Sequence, residues 1–307
     1  MVYGRPAIAL PLSHLRARAR VEPADRSFRI IAADLNRIYT AEDDADRSLM
    51  RLAAAALDFA RLANAVCDRA QQAGARLATL RAQLTLTSDI PAAAHLGSSA
   101  AVSVAVARAL AACLGRELTP AEASALAFEA EKMHHGTPSG IDNTVVAYEQ
   151  PVWFVRASGA REAGAPDIEP IAIERLPHLV IADTGLSTPT RIPVGDVRRG
   201  WEARPAVYER LFDRIAEVVH ASRRALRAGD WARLGRLMDD NHALLAELGV
   251  SCPELDALCN AARKAGALGA KLSGGGRGGN IIALARDAAH AAVLRQALQQ
   301  AGAKRVT

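Results

Sequence analysis

Residues 17–23, Ala-Arg-Ala-Arg-Val-Glu-Pro, alternate strictly between small or apolar and polar side chains, the period of a strand with one face buried. Pro6–Leu12 and the run 27–35, Ser-Phe-Arg-Ile-Ile-Ala-Ala-Asp-Leu, continue the pattern on either side of a turn-like Glu-Pro-Ala-Asp-Arg, so the first thirty-five residues predict an antiparallel ribbon. The period then changes. Residues 47–75 are long and alanine-rich with a glycine near their end, which predicts a helix. Residues 80–91 return to alternation and stop at Pro91, as a strand does. A second alanine-rich helix is predicted after Gly97. A third opens at Thr119-Pro120-Ala121-Glu122, a capping box with proline at the first helical position.

The later half alternates helices with short strands. Residues 178–185 and 269–285 predict strands, the second interrupted by a glycine loop, and helices are expected at 204–228, 230–248 and 287–302. Ser251 with Glu254 predicts the cap of one more helix. Near residues 158 to 175, Gly, Ala and Pro gather without periodicity, which marks a candidate domain boundary. The whole therefore predicts two α+β domains, 1–165 and 166–307.

Three stretches interrupt these patterns in ways that a core does not need. In Leu96-Gly97-Ser98-Ser99-Ala100 a small polar turn stands directly before a helix, whose first four backbone N–H groups are unpaired and carry a partial positive charge. Such a turn can cradle a phosphate, with hydroxyls to reach a phosphate oxygen or a metal ion, although a plain serine-capped helix reads the same way. In Glu131-Lys132-Met133-His134-His135-Gly136-Thr137-Pro138-Ser139-Gly140-Ile141-Asp142-Asn143, Glu131 near a helix end and Asp142 beyond a turn are carboxylates that could serve a divalent cation and a substrate hydroxyl, or simply face water. The adjacent His134 and His135 point different ways from a helix and make a poor metal pair. Residues 274–279 hold five glycines in six, which lets backbone approach a ligand closely; a surface loop is the bland alternative.

Composition narrows the function classes. The chain has 307 residues, half of them hydrophobic, and can bury a substantial core. No apolar run reaches the ~20 residues of a membrane span, and the N-terminus lacks the layout of a secretory signal, so a cytoplasmic protein without membrane contact is expected. A net charge of +5 suits an anionic ligand, but the arginines are spread along the chain and aromatics make up only 4%, which argues against nucleic acid as partner. Cys67, Cys113, Cys252 and Cys259 form neither a CxxC pair nor a disulfide framework and are expected to be buried thiols.

In this order, the three stretches resemble the motifs of the GHMP kinase superfamily, and among its members those of the mevalonate kinases. The likeness also covers residues 2–12, from Val2-Tyr3-Gly4 to Leu12, and runs from residue 2 to about 285, with 135–143 its most specific part. The resemblance implies an N-terminal α+β domain with a left-handed crossover and a ferredoxin-like C-terminal domain. It implies ATP and Mg²⁺, with mevalonate as the small-molecule acceptor of the γ-phosphoryl group. By motif position, Asp142 would be the catalytic aspartate, also touching substrate. Ser99 and Glu131 would hold Mg²⁺. Leu96, Gly97, Ser98, Ser99 and Ala100, with Gly274, Gly275 and Gly276, would cradle the nucleotide, and Thr190 and Arg191 would contact the acceptor. A second copy of the chain is the protein partner that the resemblance admits, since homodimers are common in the family.

The chain also departs from the pattern. Members usually carry a strand with a lysine and a Gly-Glu-His segment ahead of the Tyr-Gly that here is Tyr3-Gly4, so the absence of that first strand and of its lysine is expected. Ala93 and His95 stand where glycines are common, and Arg277 and Asn280 replace a glycine and a cysteine. An arginine at 277 would add a phosphate contact. Other kinases of the superfamily, acting on phosphomevalonate, a sugar or homoserine, a mevalonate-pathway decarboxylase, and a non-catalytic nucleotide-binding remnant are the alternative readings.

Overall fold

A computed structural model describes residues 4–40, 81–90, 96–135, 139–156 and 166–307. The predicted helix at 47–75, Cys67, Ala93 and His95 lie outside the described residues, as do the side chains of His134 and His135. The chain divides into two compact units, one formed by residues up to 8 and from 151 onward, the other by residues 9–92 and 96–150.

The second of these units is built on a four-stranded sheet. β2 (Ala17–Pro23) lies at one edge, followed by β5 (Ala82–Ser88), β3 (Arg29–Ala32) and β4 (Arg37–Thr40), with a 3₁₀ turn at Ala33–Leu35. β5 pairs antiparallel with β2 and parallel with β3. This corrects the predicted ribbon. β2 and β3 are neighbours in sequence, yet β5 stands between them, because Ala82, Leu84 and Leu86 place three apolar side chains on the buried face at the centre of the sheet. The helices α1 (Ser98–Cys113), α2 (Pro120–His135) and α3 (Ile141–Tyr148) pack together beside it. Phe28, Ile30, Leu84 and Leu110 are at most 1% exposed, and burial of each contributes about 1.5–3 kcal/mol. Ala107 and Ala111, fully buried on α1, let that helix lie close to its neighbours.

The capping box of α2 is present. The Glu122 carboxylate accepts from the Thr119 backbone N–H at 2.8 Å, and Thr119 Oγ1 accepts from Glu122 N–H at 3.3 Å.

The other unit holds two sheets. In one, β1 (Pro6–Ala9), β6 (Val152–Val155) and β7 (Asp167–Pro170) are adjacent in that order, so the first strand does not join the ribbon that its sequence position predicts. The other sheet has the order β11 (Arg305–Val306), β8 (His178–Asp183), β10 (Asn280–Ala285), β9 (Gly269–Ser273), all antiparallel. Among the described residues five helices accompany these sheets: α4 (Arg191–Ala203), α5 (Pro205–Ala228), α6 (Trp231–Glu247), α7 (Pro253–Lys264) and α8 (Ala288–Gln300). α6 meets β9 where Gly235 faces Gly269; a Cβ on Gly269 would stand 1.9 Å from the Gly235 carbonyl oxygen, so only two glycines permit this crossing.

Two further expectations change. The N-cap of α7 is Cys252, with Pro253 at the first helical position, while Ser251 instead donates to Asp256 Oδ1 at 2.5 Å. Among the described cysteines only Cys259 is fully buried; Cys113, at the last residue of α1, is exposed.

Candidate active site

α1 begins with Gly97 as its N-cap, at φ +71°, a left-handed conformation that L side chains rarely adopt. No side chain caps this helix end, and its first turn carries no acidic residue. The leading N–H groups of a sixteen-residue helix thus remain donors, with the Ser98 and Ser99 hydroxyls beside them and both residues half-buried.

α3 starts similarly, from Gly140 at φ +86°, and Asp142 lies in its first turn, exposed. The two helix starts are neighbours. A Cβ on Gly97 would lie 3.7 Å from Asp142 Cβ and 3.9 Å from its carboxyl carbon, so the Asp142 carboxylate stands beside the turn that opens α1.

A buried polar network fixes this arrangement. Asn143 Nδ2 donates to the Ser124 carbonyl at 3.0 Å and meets Ser124 Oγ at 2.9 Å, while Thr144 Oγ1 donates to the Gly140 carbonyl at 2.6 Å and lies 3.2 Å from Ser124 Oγ. All three side chains are at most 5% exposed. Ser124 and Glu131 are seven residues apart on α2 and therefore share a face, so the network ties the helix bearing Glu131 to the helix bearing Asp142. Glu131 itself is 6% exposed. A buried carboxylate and a helix-start hydroxyl at Ser99 are hard oxygen donors of the kind Mg²⁺ accepts, and Mg²⁺ usually takes only one or two carboxylates besides phosphate and water. Among the described residues no three His, Cys, Asp or Glu side chains gather into an all-protein metal cage.

Gly274, Gly275, Gly276, Thr190 and Arg191 belong to the other unit. Its glycine loop joins β9 to β10, and most of its glycines are used against the chain itself. A Cβ on Gly276 would meet the Val250 carbonyl oxygen at 2.1 Å, on Gly278 the Leu186 carbonyl oxygen at 2.6 Å, and on Gly275 Thr190 Cγ2 at 2.9 Å. Gly274, at φ +92° with nothing within 4 Å of a Cβ, is the exposed one. The structure brings Thr190, the N-cap of α4, against this loop, and it lines a small cleft with Thr188, Ser273, Gly275 and Gly276. Arg191 opens α4 and is exposed. The Arg277 guanidinium is engaged by Asp196 of α4 and donates through Nε to the Gly249 carbonyl at 3.1 Å. Asn280, buried, opens β10.

β9 is an edge strand, and its outward backbone groups are each met by a side chain. Asp239 Oδ1 accepts from Ala270 N–H at 2.9 Å, His242 Nδ1 accepts from Leu272 N–H at 3.2 Å, Arg263 donates to the Ala270 carbonyl at 2.9 Å, and Lys271 Nζ donates to the Leu272 carbonyl at 2.7 Å. Because His242 Nδ1 is an acceptor, its proton sits on Nε2, which donates to Asp256 Oδ1 at 3.1 Å. Burial, then the Arg263 charge, lowers the pKa of this imidazole. Burial lowers Lys271 to about 8 and pushes the Cys259 thiol up to about 12.

Comparison with known proteins matches residues 51–150 to the GHMP kinases N terminal domain and residues 222–304 to the GHMP kinases C terminal domain. A mevalonate kinase of Thermococcus sibiricus is 35% identical over 306 residues, covering 94% of this chain and 85% of the relative. The chain belongs to the GHMP kinase superfamily. Within it, the L. major mevalonate kinase solved in complex with R-mevalonate superposes with a TM-score of 0.78 at 30% identity, covering 99% of this chain and 88% of that one. The Streptococcus pneumoniae phosphomevalonate kinase in complex with phosphomevalonate and AMPPNP reaches 0.79 at 19% identity over 99% of this chain and 92% of that one, a likeness of fold. The fold is α+β, as expected. Among the described residues no helix is long and apolar enough to cross a membrane.

The site residues that sequence reasoning missed are those that hold others in place: Ser124, Asn143 and Thr144 between the two carboxylate-bearing helices, and Asp239 and His242 along β9. Asn143, directly after Asp142, was the one with a visible signal, a polar residue on what becomes a buried helix face.

Proposed function

We propose that this GHMP kinase transfers the γ-phosphoryl group of ATP to a hydroxyl of mevalonate, giving phosphomevalonate. The observation that carries the phosphoryl-transfer chemistry is the contact between Gly97 and Asp142, which sets a carboxylate against an uncapped helix start. The choice of mevalonate over other acceptors is supported by near-full-length relatives bearing that activity in their names.

In this reading Leu96 to Ala100 hold the nucleotide phosphates through backbone N–H groups of the α1 start and the two serine hydroxyls. Asp142 accepts or orients the proton of the attacking hydroxyl. Ser99 and Glu131 hold Mg²⁺, which, when bound, offsets charge on the phosphate oxygens. In the loop Gly274 to Gly276, the exposed Gly274 offers backbone to the nucleotide while Gly275 and Gly276 let the loop pack closely behind it, and Thr190 and Arg191 orient the acceptor. Phosphoryl transfer asks chiefly for position and charge compensation, which rigid helix starts supply without rearrangement. We also infer domains at 1–165 and 166–307, a cytoplasmic location and a homodimer. A coupled assay of ADP release with mevalonate tests the activity; absence of mevalonate-dependent turnover in folded protein at saturating ATP and Mg²⁺ would remove it.

A further inference from the structure

Arg277 is the one non-glycine residue within 274–279, and it sits at φ +55°, a backbone conformation costly to any L side chain but natural to glycine. Such a residue persists where its side chain does something that glycine cannot. Here the side chain reaches out of the loop in two directions. Nε donates to the Gly249 carbonyl at 3.1 Å, and the guanidinium pairs with Asp196 in the second turn of α4. The backbone of the same residue is held as well: its N–H donates to the Val250 carbonyl at 2.8 Å, and its carbonyl accepts from Thr188 Oγ1 at 2.6 Å.

α4 and the loop therefore touch at two separated points. Thr190 packs against Gly275 at the helix start, and Asp196 meets Arg277 about one and a half turns further on. Two such points fix both the position and the rotation of the helix relative to the loop. Asp196 also pairs with Arg199 on its own helix, so it stays charge-compensated without Arg277. Both side chains are about one-third exposed, 35% for Arg277 and 31% for Asp196, so the ion pair adds little to global stability, and its effect is local.

The geometry points to Arg277 as a positioning residue that locks α4, and with it Thr190 and Arg191, in register with the glycine-rich loop. This rests on the reading in which Thr190 and Arg191 face the acceptor and the loop faces the nucleotide.

The full chain is tested as Arg277→Gly, Arg277→Lys, Asp196→Asn and the double variant Arg277→Gly/Asp196→Asn. Glycine accepts the φ at 277, so folding is retained. Arg277→Gly and Asp196→Asn are each expected to raise KM for mevalonate about 5-fold, with kcat within about 2-fold, as befits a pair about one-third exposed. The double variant is expected to be no worse than either single one, and Arg277→Lys to recover part of the loss. An unchanged KM for mevalonate in Arg277→Gly, or additive losses in the double variant, would overturn this positioning role. Wild-type protein in the same assay separates this from the functional reading, since inactivity of the wild type counts against mevalonate phosphorylation itself. A second readout needs no substrate: amide exchange at residues 191–197 of the ligand-free protein should quicken in Arg277→Gly, and unchanged exchange there would overturn the positioning role whatever the acceptor is.

Discussion

Gly97 and Asp142 come from different helix starts, yet a Cβ on the first would lie 3.7 Å from Cβ of the second. The contact leaves room for a methyl group, so glycine is required by the φ of +71° and not by crowding. A side chain there would cost about 1–2 kcal/mol in backbone strain. What the contact secures is a carboxylate beside the donors of α1.

Asp142→Asn removes the proton acceptor and keeps the shape. Turnover should fall roughly 10² to 10⁴-fold while ATP affinity, measured by calorimetry with a non-hydrolysable analogue, changes little. Near-normal turnover would take Asp142 out of the reaction.

Asn143→Leu tests the network behind that carboxylate. The substitution leaves the Ser124 carbonyl and hydroxyl without their buried donor, which should cost about 1–3 kcal/mol in urea unfolding. Because Asn143 adjoins Asp142, kcat should fall at least about tenfold in protein that is still folded. Loss of stability with intact kcat would confine the network to a packing role.

Glu131→Gln keeps the size of a 6%-exposed side chain and removes its charge. The Mg²⁺ concentration for half-maximal rate should rise, and Ser99→Ala should produce a milder rise, because hard cations prefer charged oxygen ligands. Identical Mg²⁺ titrations for wild type and both variants would exclude these two residues as metal ligands.

His242 makes stability depend on pH. Its folded pKa lies below the ordinary 6.5, so as pH falls through that value the unfolded chain takes up a proton that the folded protein resists. The unfolded state then binds more protons, and stability drops from about pH 6.5 downward until the folded pKa is passed. His242→Asn offers Leu272 N–H an oxygen acceptor that does not titrate, and urea unfolding should show a flatter pH dependence across this window. An equally steep dependence in the variant would assign the effect to other groups.

Much of this site could be read from the chain alone because its parts are local. Gly97-Ser98-Ser99 before an alanine-rich helix, the Thr119–Glu122 capping box and the 274–279 glycines each declare their conformation within a few residues. The pairing of β5 between β2 and β3 could not be read that way, since alternation gives a strand its faces but not its neighbours. The same holds for the glycine loop. Five glycines suggested backbone exposed to a ligand, whereas Gly275, Gly276 and Gly278 are needed because Thr190, Val250 and Leu186 press on them from other parts of the chain. Asp196 carried no signal, since a charged residue on a short amphipathic helix reads as a solvated face until Arg277 is seen to reach it.

The most direct measurement is ADP release by the purified chain with ATP and Mg²⁺, presented separately with mevalonate, phosphomevalonate, galactose and homoserine. The account predicts mevalonate-dependent turnover at least about a hundredfold above the other three in kcat/KM, since a polar site loses buried hydrogen bonds with an ill-matched acceptor. Comparable or higher turnover with another acceptor, or none with any while ATP still binds, would contradict it.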